Sequence, residues 1–458
     1  MNTIGSLVMN HKDIKYTIIK LLNNLGTESE VKKYLKRFSD PRIPSFAIIK
    51  IGGAIIQNDL DNIASAISFL QQVGLKPIIV HGAGPQLNQM LDEHGITPHF
   101  IDGKRVTSSD VLHLARKVFI QQNQMLVNAF DNIAINATSI TSGLLNCSLA
   151  DSTLGLVGQI QSINLELLTH ALKRGSIPII SPLGETDSGQ IVNINADSVT
   201  LALAKQLKPY KIIFLTETGG ILDDCQNIIP VINLNHEYST LMQSSWLHSG
   251  MRFKLKMIKD ILDALPKSTS ISITTPGLLA KELFTHKGSG TLIIKGEVIH
   301  EFDSWQSIEP QVIRRLINSS FNKKLDENYF ATTPLEKLYL TDCQQGLAIV
   351  SAEFPIPYLD KYCVSASAKG EGIGSNLWQR LTHDYPTLFW RAKRHNPINQ
   401  FYRKKADGFQ NGKDWCVYWL GDITPQEIPL CIEWANNKPI TIGHSNHDLE
   451  ECKNEINN

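Results

Sequence analysis

The sequence predicts an α/β protein, a mostly parallel sheet sandwiched by helices, followed by a separate C-terminal unit. Three observations predict it. The chain has 458 residues, too many for one ordinary hydrophobic core. From Ser45 onward, short runs of strand formers ending in Gly, Pro or Thr alternate with stretches of helical periodicity. Near residue 300 the composition shifts, because six of the seven tryptophans (Trp305, Trp378, Trp390, Trp415, Trp419 and Trp434) lie beyond it.

Taken in order, residues 11–37 read as helix, with Ile14, Ile18, Ile19, Leu22 and Leu25 at helical spacing. Leu25-Gly26 ends that run. Thr27 and Glu30 form a capping box for a second short helix through Leu35, and Asp40-Pro41 stops it. The runs FAIIKIGG, KPIIVHG, SIPIISP, YKIIFLT and SISITT read as strands, with helices expected at 59–73, 85–94, 108–130, 164–174, 197–206 and 251–265. The segment EFDSWQSIEP (residues 301–310) reads as the joint between units, and the polar residues 444–458 as a disordered tail. The expected division is a helical arm 1–40, a first domain 41–298, a second domain 299–443 and the tail.

Composition excludes several function classes. A net charge of zero argues against nucleic acid or an anionic membrane as partner. No run of 18 apolar residues is present, so no membrane span is expected. MNTIGSLVMNHKDIKY lacks the marks of a secretory or transit leader, and a cytoplasmic location follows by default. Seven widely spaced cysteines without a CxxC pair read as free thiols, with neither a metal site nor a disulfide framework.

Two strand ends carry chemistry. Lys50-Ile51-Gly52-Gly53 closes the first strand. His81-Gly82-Ala83-Gly84-Pro85 closes the second and opens a helix. Glycines let backbone amides approach phosphate oxygens, and a helix N-terminus favours negative charge. Lys50 adds a point charge for a transferring phosphoryl group. The pattern is not a Walker A loop, since GxxxxGK[ST] is absent.

Downstream stand Gly103-Lys104-Arg105-Val106-Thr107, Asn193-Ile194-Asn195-Ala196-Asp197 and Gly250-Met251-Arg252-Phe253-Lys254. In this order and spacing, the five motifs resemble the amino-acid kinase family, in its N-acetylglutamate kinase branch. The resemblance implies the amino-acid kinase fold, and it implies roles. Lys50 and Lys254 would flank the transferring phosphoryl group, with Asp197 orienting them. Gly52, Gly53, Gly82 and Gly84 would cradle phosphate oxygens and substrate. Arg105 would pair with the substrate α-carboxylate, and Asn193 and Asn195 would contact N-acetylglutamate. ATP with Mg2+ would be the phosphoryl donor, and no residue is assigned as a metal ligand. The branch often has glycine where Ala83 stands and aspartate where Glu217 stands.

Lys281-Glu282-Leu283-Phe284-Thr285 and Gly288-Ser289-Gly290-Thr291 resemble the arginine-binding segment of arginine-sensitive members. By that resemblance Glu282 would hold the guanidinium of L-arginine and the Gly288 region its backbone, while the N-terminal helix would complete the site and link subunits. A homo-oligomer, a dimer of dimers or larger, is expected.

The second unit carries Cys363-Val364-Ser365-Ala366-Ser367-Ala368-Lys369-Gly370-Glu371-Gly372-Ile373-Gly374, a helix, the strand LFWRAKR, then Asn396-Pro397-Ile398-Asn399 and Phe401-Tyr402. Strand, glycine loop and helix make an anion site suited to a coenzyme A pyrophosphate. Together with WRAKRHNPINQFY this resembles the α+β GNAT acetyltransferase domain of vertebrate-type N-acetylglutamate synthases and bacterial synthase/kinases. The resemblance places acetyl-CoA at Val364, Ala366, Lys369, Gly370, Gly372 and Gly374. It places the carboxylates of L-glutamate at Lys361, Arg391 and Lys393, and Asn396 and Tyr402 at the reacting centre. The implied function is a bifunctional enzyme of arginine biosynthesis, inhibited by arginine. The alternatives are a synthase whose kinase fold is silent and regulatory, and a non-catalytic arginine-sensing assembly module.

Overall fold

The computed structural model describes residues 28–39, 46–101, 103–247, 249–267, 269–285, 288–366, 368 and 372–443. The helix expected before residue 28, the tail 444–458, Lys369 and Gly370 lie outside the described residues. The chain divides into two compact units, residues 1–295 and 296–458.

In the first unit, the expected strands form the middle of an eight-stranded sheet. Its order is Val231–Asn233, Thr291–Ile294, Ser270–Thr274, Lys211–Leu215, Ala47–Ile51, Ile78–His81, Ile177–Ile180, Ala137–Ile140. All neighbours are parallel except Ser270–Thr274 with Thr291–Ile294. Parallel strands joined by helices are buried on both faces, which is why they read as apolar runs rather than as an alternation. Side chains nevertheless alternate between two cores. Ile48, Ile78, Val80, Ile212 and Phe214 enter one core, and Ala47, Ile49, Ile51, Ile79, Ile213 and Leu215 the other.

That alternation positions the chemistry. Lys50 is two residues from Ile48 and so faces the first core. This core also receives Val199 and Leu203 of the helix Ala196–Leu207, and Leu255, Ile258 and Ile261 of the helix Ser249–Asp263. The three segments that carry Lys50, Asp197 and Lys254 are therefore packed on one side of the sheet.

A four-stranded sheet (Ile191–Asn193, Leu183–Glu185, Leu145–Leu149, Gly158–Ile163) and a short hairpin (Phe100–Ile101 with Lys104–Arg105) were not expected from the sequence. Both form walls of the site described below.

The second unit is a seven-stranded sheet ordered Ile299–Phe302, Leu335–Thr341, Gly346–Ser351, Tyr358–Val364, Leu388–Lys393, Trp415–Leu420, Gly408–Asn411. Residues 301–310, expected as the joint, lie within the second unit, and the first two of them belong to this sheet. Glu301 and Phe302 pair with Tyr339 and Leu338, so backbone hydrogen bonding commits this segment to the sheet. Pairing is antiparallel except between Tyr358–Val364 and Leu388–Lys393. These two strands are parallel and meet at a single register position, Tyr358 opposite Phe389. Beyond it they part.

Candidate active sites

In the first unit the carboxyl ends of the parallel strands open on a cavity of about 730 Å³. Ligands of open α/β sheets sit at that edge. Lys50 Nζ lies 3.0 Å from Asp197 Oδ1, each side chain about one-fifth exposed. Asp197 stands in the first turn of its helix, where Asn195 is the N-cap: Asn195 Oδ1 accepts from the Asp197 amide at 2.7 Å. Lys254 is partly buried. Burial first, and then the Lys50 charge, depress its pKa below the usual lysine value, while Asp197 pulls the other way. Two ammonium groups and one carboxylate thus share one small volume.

The glycine loops adjoin this group. Gly53 is tightly packed: a Cβ there would fall 2.4 Å from Gln86 Oε1 and 2.9 Å from Ala83 Cα. Gln86 Nε2 also donates to the Gly53 carbonyl at 2.7 Å, tying the two loops together. Gly52, Gly82 and Gly84 differ. None has positive φ, and a Cβ would meet nothing closer than 3.8 Å. Their bareness is not demanded by the fold, and it leaves backbone open to a ligand. Of the two departures noted above, Ala83 is buried beside Gly53, and Glu217 accepts from Asn58 Nδ2 at 2.9 Å.

Arg105 lines the cavity from the hairpin. Its guanidinium lies 4.7 Å from the Phe100 ring centroid and donates from Nη2 to Asn88 Oδ1. Nη1 is buried without a partner, the condition of a donor awaiting a carboxylate. Asn193 also lines the cavity and donates to Thr107 Oγ1 at 3.0 Å. Lys104 and Lys205 add positive charge, against Asp151 and Asp197. The cavity is built for anions.

Beneath the second loop lies a buried network that the sequence reading missed. His81 Nε2 is 3.0 Å from Ser181 Oγ, and Asn123 Nδ2 donates to Ser181 Oγ at 3.1 Å and to the Ile179 carbonyl at 2.9 Å. Burial drives the His81 pKa down to about 4, so the ring is neutral.

Glu282 sits on the short helix Leu279–Phe284, buried, with Oε1 accepting from Ser272 Oγ at 2.7 Å and Oε2 from the Ser289 amide at 2.8 Å. Gly288 is left-handed at φ +61°, and a Cβ there would lie 2.6 Å from Glu282 Oε2. The helix Glu28–Phe38 reaches this segment through Phe38, whose ring centroid is 6.2 Å from that of Phe284.

In the second unit the structure gathers Lys361, Arg391 and Lys393 on one face. Arg391 and Lys393 follow Phe389 at alternate positions, whereas Trp390 and Ala392 enter the opposite core together with Tyr402. Tyr402 is buried among Trp378, Trp390 and Tyr418. Burial and the neighbouring Tyr362 raise its phenol well above the ordinary value, so it holds its proton. The expected acid and the expected carboxylate ligands are therefore on opposite faces, with the parted strands Tyr358–Val364 and Leu388–Lys393 between them. Asn396 is engaged in its own turn, accepting from the Ile398 amide at 3.1 Å. Helix Ile373–Asp384 begins at Gly372, left-handed at φ +81°, and Gly374 offers its carbonyl to Tyr362 Oη at 2.5 Å.

Lys361 is itself paired. A bulge puts Asp360 into the strand as an extra residue, since Ile349 faces Lys361 while Val350 faces Leu359. Asp360 Oδ2 accepts from Lys361 Nζ and from Tyr329 Oη, each at 2.6 Å, and Oδ1 lies 3.7 Å from Lys438 Nζ. Burial pushes the Asp360 carboxyl up, but Lys361 and Lys438 outweigh it and hold it below the usual carboxylate range. Asp360, Tyr329 and Lys438 were not singled out from the sequence, where Asp360 is one acid among many.

Residues 45–271 match the amino acid kinase family, and residues 300–454 match the N-acetyltransferase domain of N-acetylglutamate synthase. The chain is 43% identical over 419 residues to the acetylglutamate kinase of Xylella fastidiosa, covering 91% of this chain and 100% of that one. It is 31% identical over 426 residues to the mitochondrial N-acetylglutamate synthase of Danio rerio, covering 90% and 78%. The crystal structure of N-acetylglutamate synthase from Neisseria gonorrhoeae, complexed with coenzyme A and N-acetylglutamate, matches 86% of this chain and 98% of its own. The TM-score is 0.60 and the identity 19%, a likeness of fold. On these grounds the chain belongs to the amino acid kinase family and carries, in the same polypeptide, the N-acetyltransferase domain of N-acetylglutamate synthase.

Proposed function

We propose that the C-terminal unit makes N-acetylglutamate from acetyl-CoA and L-glutamate, and that the N-terminal unit phosphorylates the γ-carboxyl of that product with MgATP, for arginine biosynthesis. The observation that carries the kinase assignment is the meeting of Lys50, Asp197 and Lys254 beside two bare glycine loops. The names borne by the Xylella and Danio relatives support the two activities in turn.

The residue types fit the chemistry. A γ-carboxylate with a reference pKa of about 4.3 is ionised at neutral pH and needs no general base. It needs positive charge to meet a second anion and to spread phosphoryl charge in the transition state. Lys50 and Lys254 supply it, Asp197 orients them, and Arg105 receives the α-carboxylate on its free Nη1 edge. Asp197 is committed to Lys50, and Asp151 to the amide and hydroxyl of Thr153, so among the described residues the cavity offers no dedicated acidic cage. That fits magnesium arriving on the phosphates of ATP, where it neutralises their charge.

In the other unit, an extended acyl-pantetheine fits the wedge between the parted strands, where main-chain groups are available for pairing. The pyrophosphate belongs at the N-terminus of helix Ile373–Asp384. Lys361, Arg391 and Lys393 take the glutamate carboxylates. The amine attacks the thioester carbonyl, the C–S bond breaks, and Tyr402, kept protonated by burial, donates to the departing thiolate, while the proton lost by the amine passes through water and restores the phenol. L-Arginine binds at Glu282 and Gly288 and inhibits. The chain assembles as a dimer of dimers or larger, which sedimentation equilibrium tests directly.

Both activities are tested on one purified sample, with and without arginine. Hydroxylamine trapping should reveal an acyl phosphate made from N-acetylglutamate and ATP. Release of coenzyme A from acetyl-CoA should depend on glutamate. Absence of the trapped product, with coenzyme A release intact, would leave a synthase with a silent kinase lobe. Release indifferent to glutamate would sink the synthase assignment.

A further inference from the structure

Arg391 and Lys393 share one strand face and one aromatic ring. The Arg391 guanidinium carbon lies 4.0 Å, and Lys393 Nζ 4.1 Å, from the centroid of Trp415. The register explains the meeting. Strand Trp415–Leu420 runs antiparallel to Leu388–Lys393 with Lys393 directly opposite Trp415, so the indole stands on the face that presents both cations. Arg391 is further fixed by carbonyl acceptors, Ala435 O at 2.5 Å and Pro439 O at 3.0 Å. These acceptors are neutral, and among the described residues no carboxylate forms an ion pair with either cation.

Two like charges held by one ring repel one another. The negative face of the ring offsets part of that repulsion, and an arriving dianion removes the rest. Both cations lie within about 4 Å of one point, so they are at most about 8 Å apart, a spacing within reach of the two ends of a short dicarboxylate.

We propose that Trp415 is a positioning residue of the acetyl-transfer site, the platform on which Arg391 and Lys393 are aligned to receive the carboxylates of a dicarboxylic amino acid. This rests on the synthase reading given above. Trp415 does not touch the reacting atoms. It acts through the two cations, and so it governs the acceptor rather than the acyl donor.

The test compares Trp415→Leu, which removes the aromatic face, with Trp415→Phe, which keeps one. In the full chain, Trp415→Leu is expected to raise the KM for glutamate about tenfold or more while the KM for acetyl-CoA stays within about twofold. Trp415→Phe should recover most of the loss. Thermal unfolding of the second unit, followed by far-UV circular dichroism on the same preparations, reports that it remains folded. Calorimetric titration with glutarate, an amine-free dicarboxylate, needs no turnover and follows the same order: bound by wild type and Trp415→Phe, weakened about tenfold by Trp415→Leu. A glutarate affinity unchanged in Trp415→Leu overturns the platform, as does an equal rise in both KM values or an equal loss in the Leu and Phe variants. Glutarate binding that follows the expected order, in a protein whose coenzyme A release ignores glutamate, upholds the platform and sinks the synthase reading instead.

Discussion

Lys50 Nζ and Asp197 Oδ1 stand 3.0 Å apart at the strand ends, and this pair tunes the ionisation of Lys254 beside it, which burial depresses first. A lysine whose pKa is depressed loses its proton at lower pH than an ordinary one, whose reference value is about 10.4. The alkaline limb of kcat/KM for phosphorylation should therefore fall below that value in the free enzyme. Asp197→Asn removes the one influence that raises Lys254 and should move the limb further toward neutrality. Lys50→Met should move it back, while lowering the rate by about 10²-fold or more. A limb unmoved in both variants would count against the coupling of the three groups.

His81 makes the N-terminal unit sensitive to acid. Its folded pKa of about 4 lies below the ordinary 6.5. Between those values the unfolded chain binds the extra proton, so stability is full above about pH 6.5 and drains away as pH falls toward 4. Going from pH 7 to pH 5 should cost about 2 kcal/mol. Calorimetry at both pH values, on the transition that ATP shifts upward, measures it. The same step in His81→Gln should be markedly smaller.

Glu282→Gln keeps the shape of the side chain but removes its charge. Arginine inhibition should be lost, with both activities retained in its absence. Gly288→Ala should abolish inhibition and also destabilise the segment by about 1–3 kcal/mol, because the methyl meets Glu282 Oε2 and φ is positive. Inhibition curves for the two variants decide it. Undiminished inhibition in Glu282→Gln would show that arginine binds elsewhere.

Tyr402→Phe deletes one hydroxyl from an aromatic cluster and leaves the packing intact. If the phenol protonates the departing thiolate, kcat for acetyl transfer should fall by about 10²–10⁴-fold, with the KM for glutamate little changed. Stopped-flow detection of free thiol is the measurement. A variant of near wild-type rate would return Tyr402 to the core as a packing residue.

The sheet of the first unit was legible because its central strands are buried on both faces and its helices are amphipathic. The helix expected at 197–206 is Ala196–Leu207, and that expected at 108–130 is Ser109–Asp131. The four-stranded sheet was missed because Gly158–Ile163 is half exposed and polar. Its only trace is the alternation Gln159, Ile160, Gln161. The joint was misplaced because a strand as short as Ile299–Phe302, with His300 and Glu301 at its centre, resembles a linker until its partner, Leu335–Thr341, is known. Lys50, Asp197 and Lys254 were legible through motif order, and geometry then explained why they meet. The cluster around Asp360 was not legible. Tyr329 and Lys438 come from distant parts of the chain, and Asp360 takes its place through a bulge that no local pattern marks.

Gly52, Gly82 and Gly84 have an evolutionary consequence. Because the fold does not require their bareness, a single methyl at any of them leaves packing undisturbed while, in the proposed role of these loops, obstructing the approach of a phosphate. Loss of phosphoryl transfer is therefore separable from loss of the lobe. A descendant of such a chain could drift into a kinase-shaped domain that only binds and signals, by substitutions that selection for folding would never see.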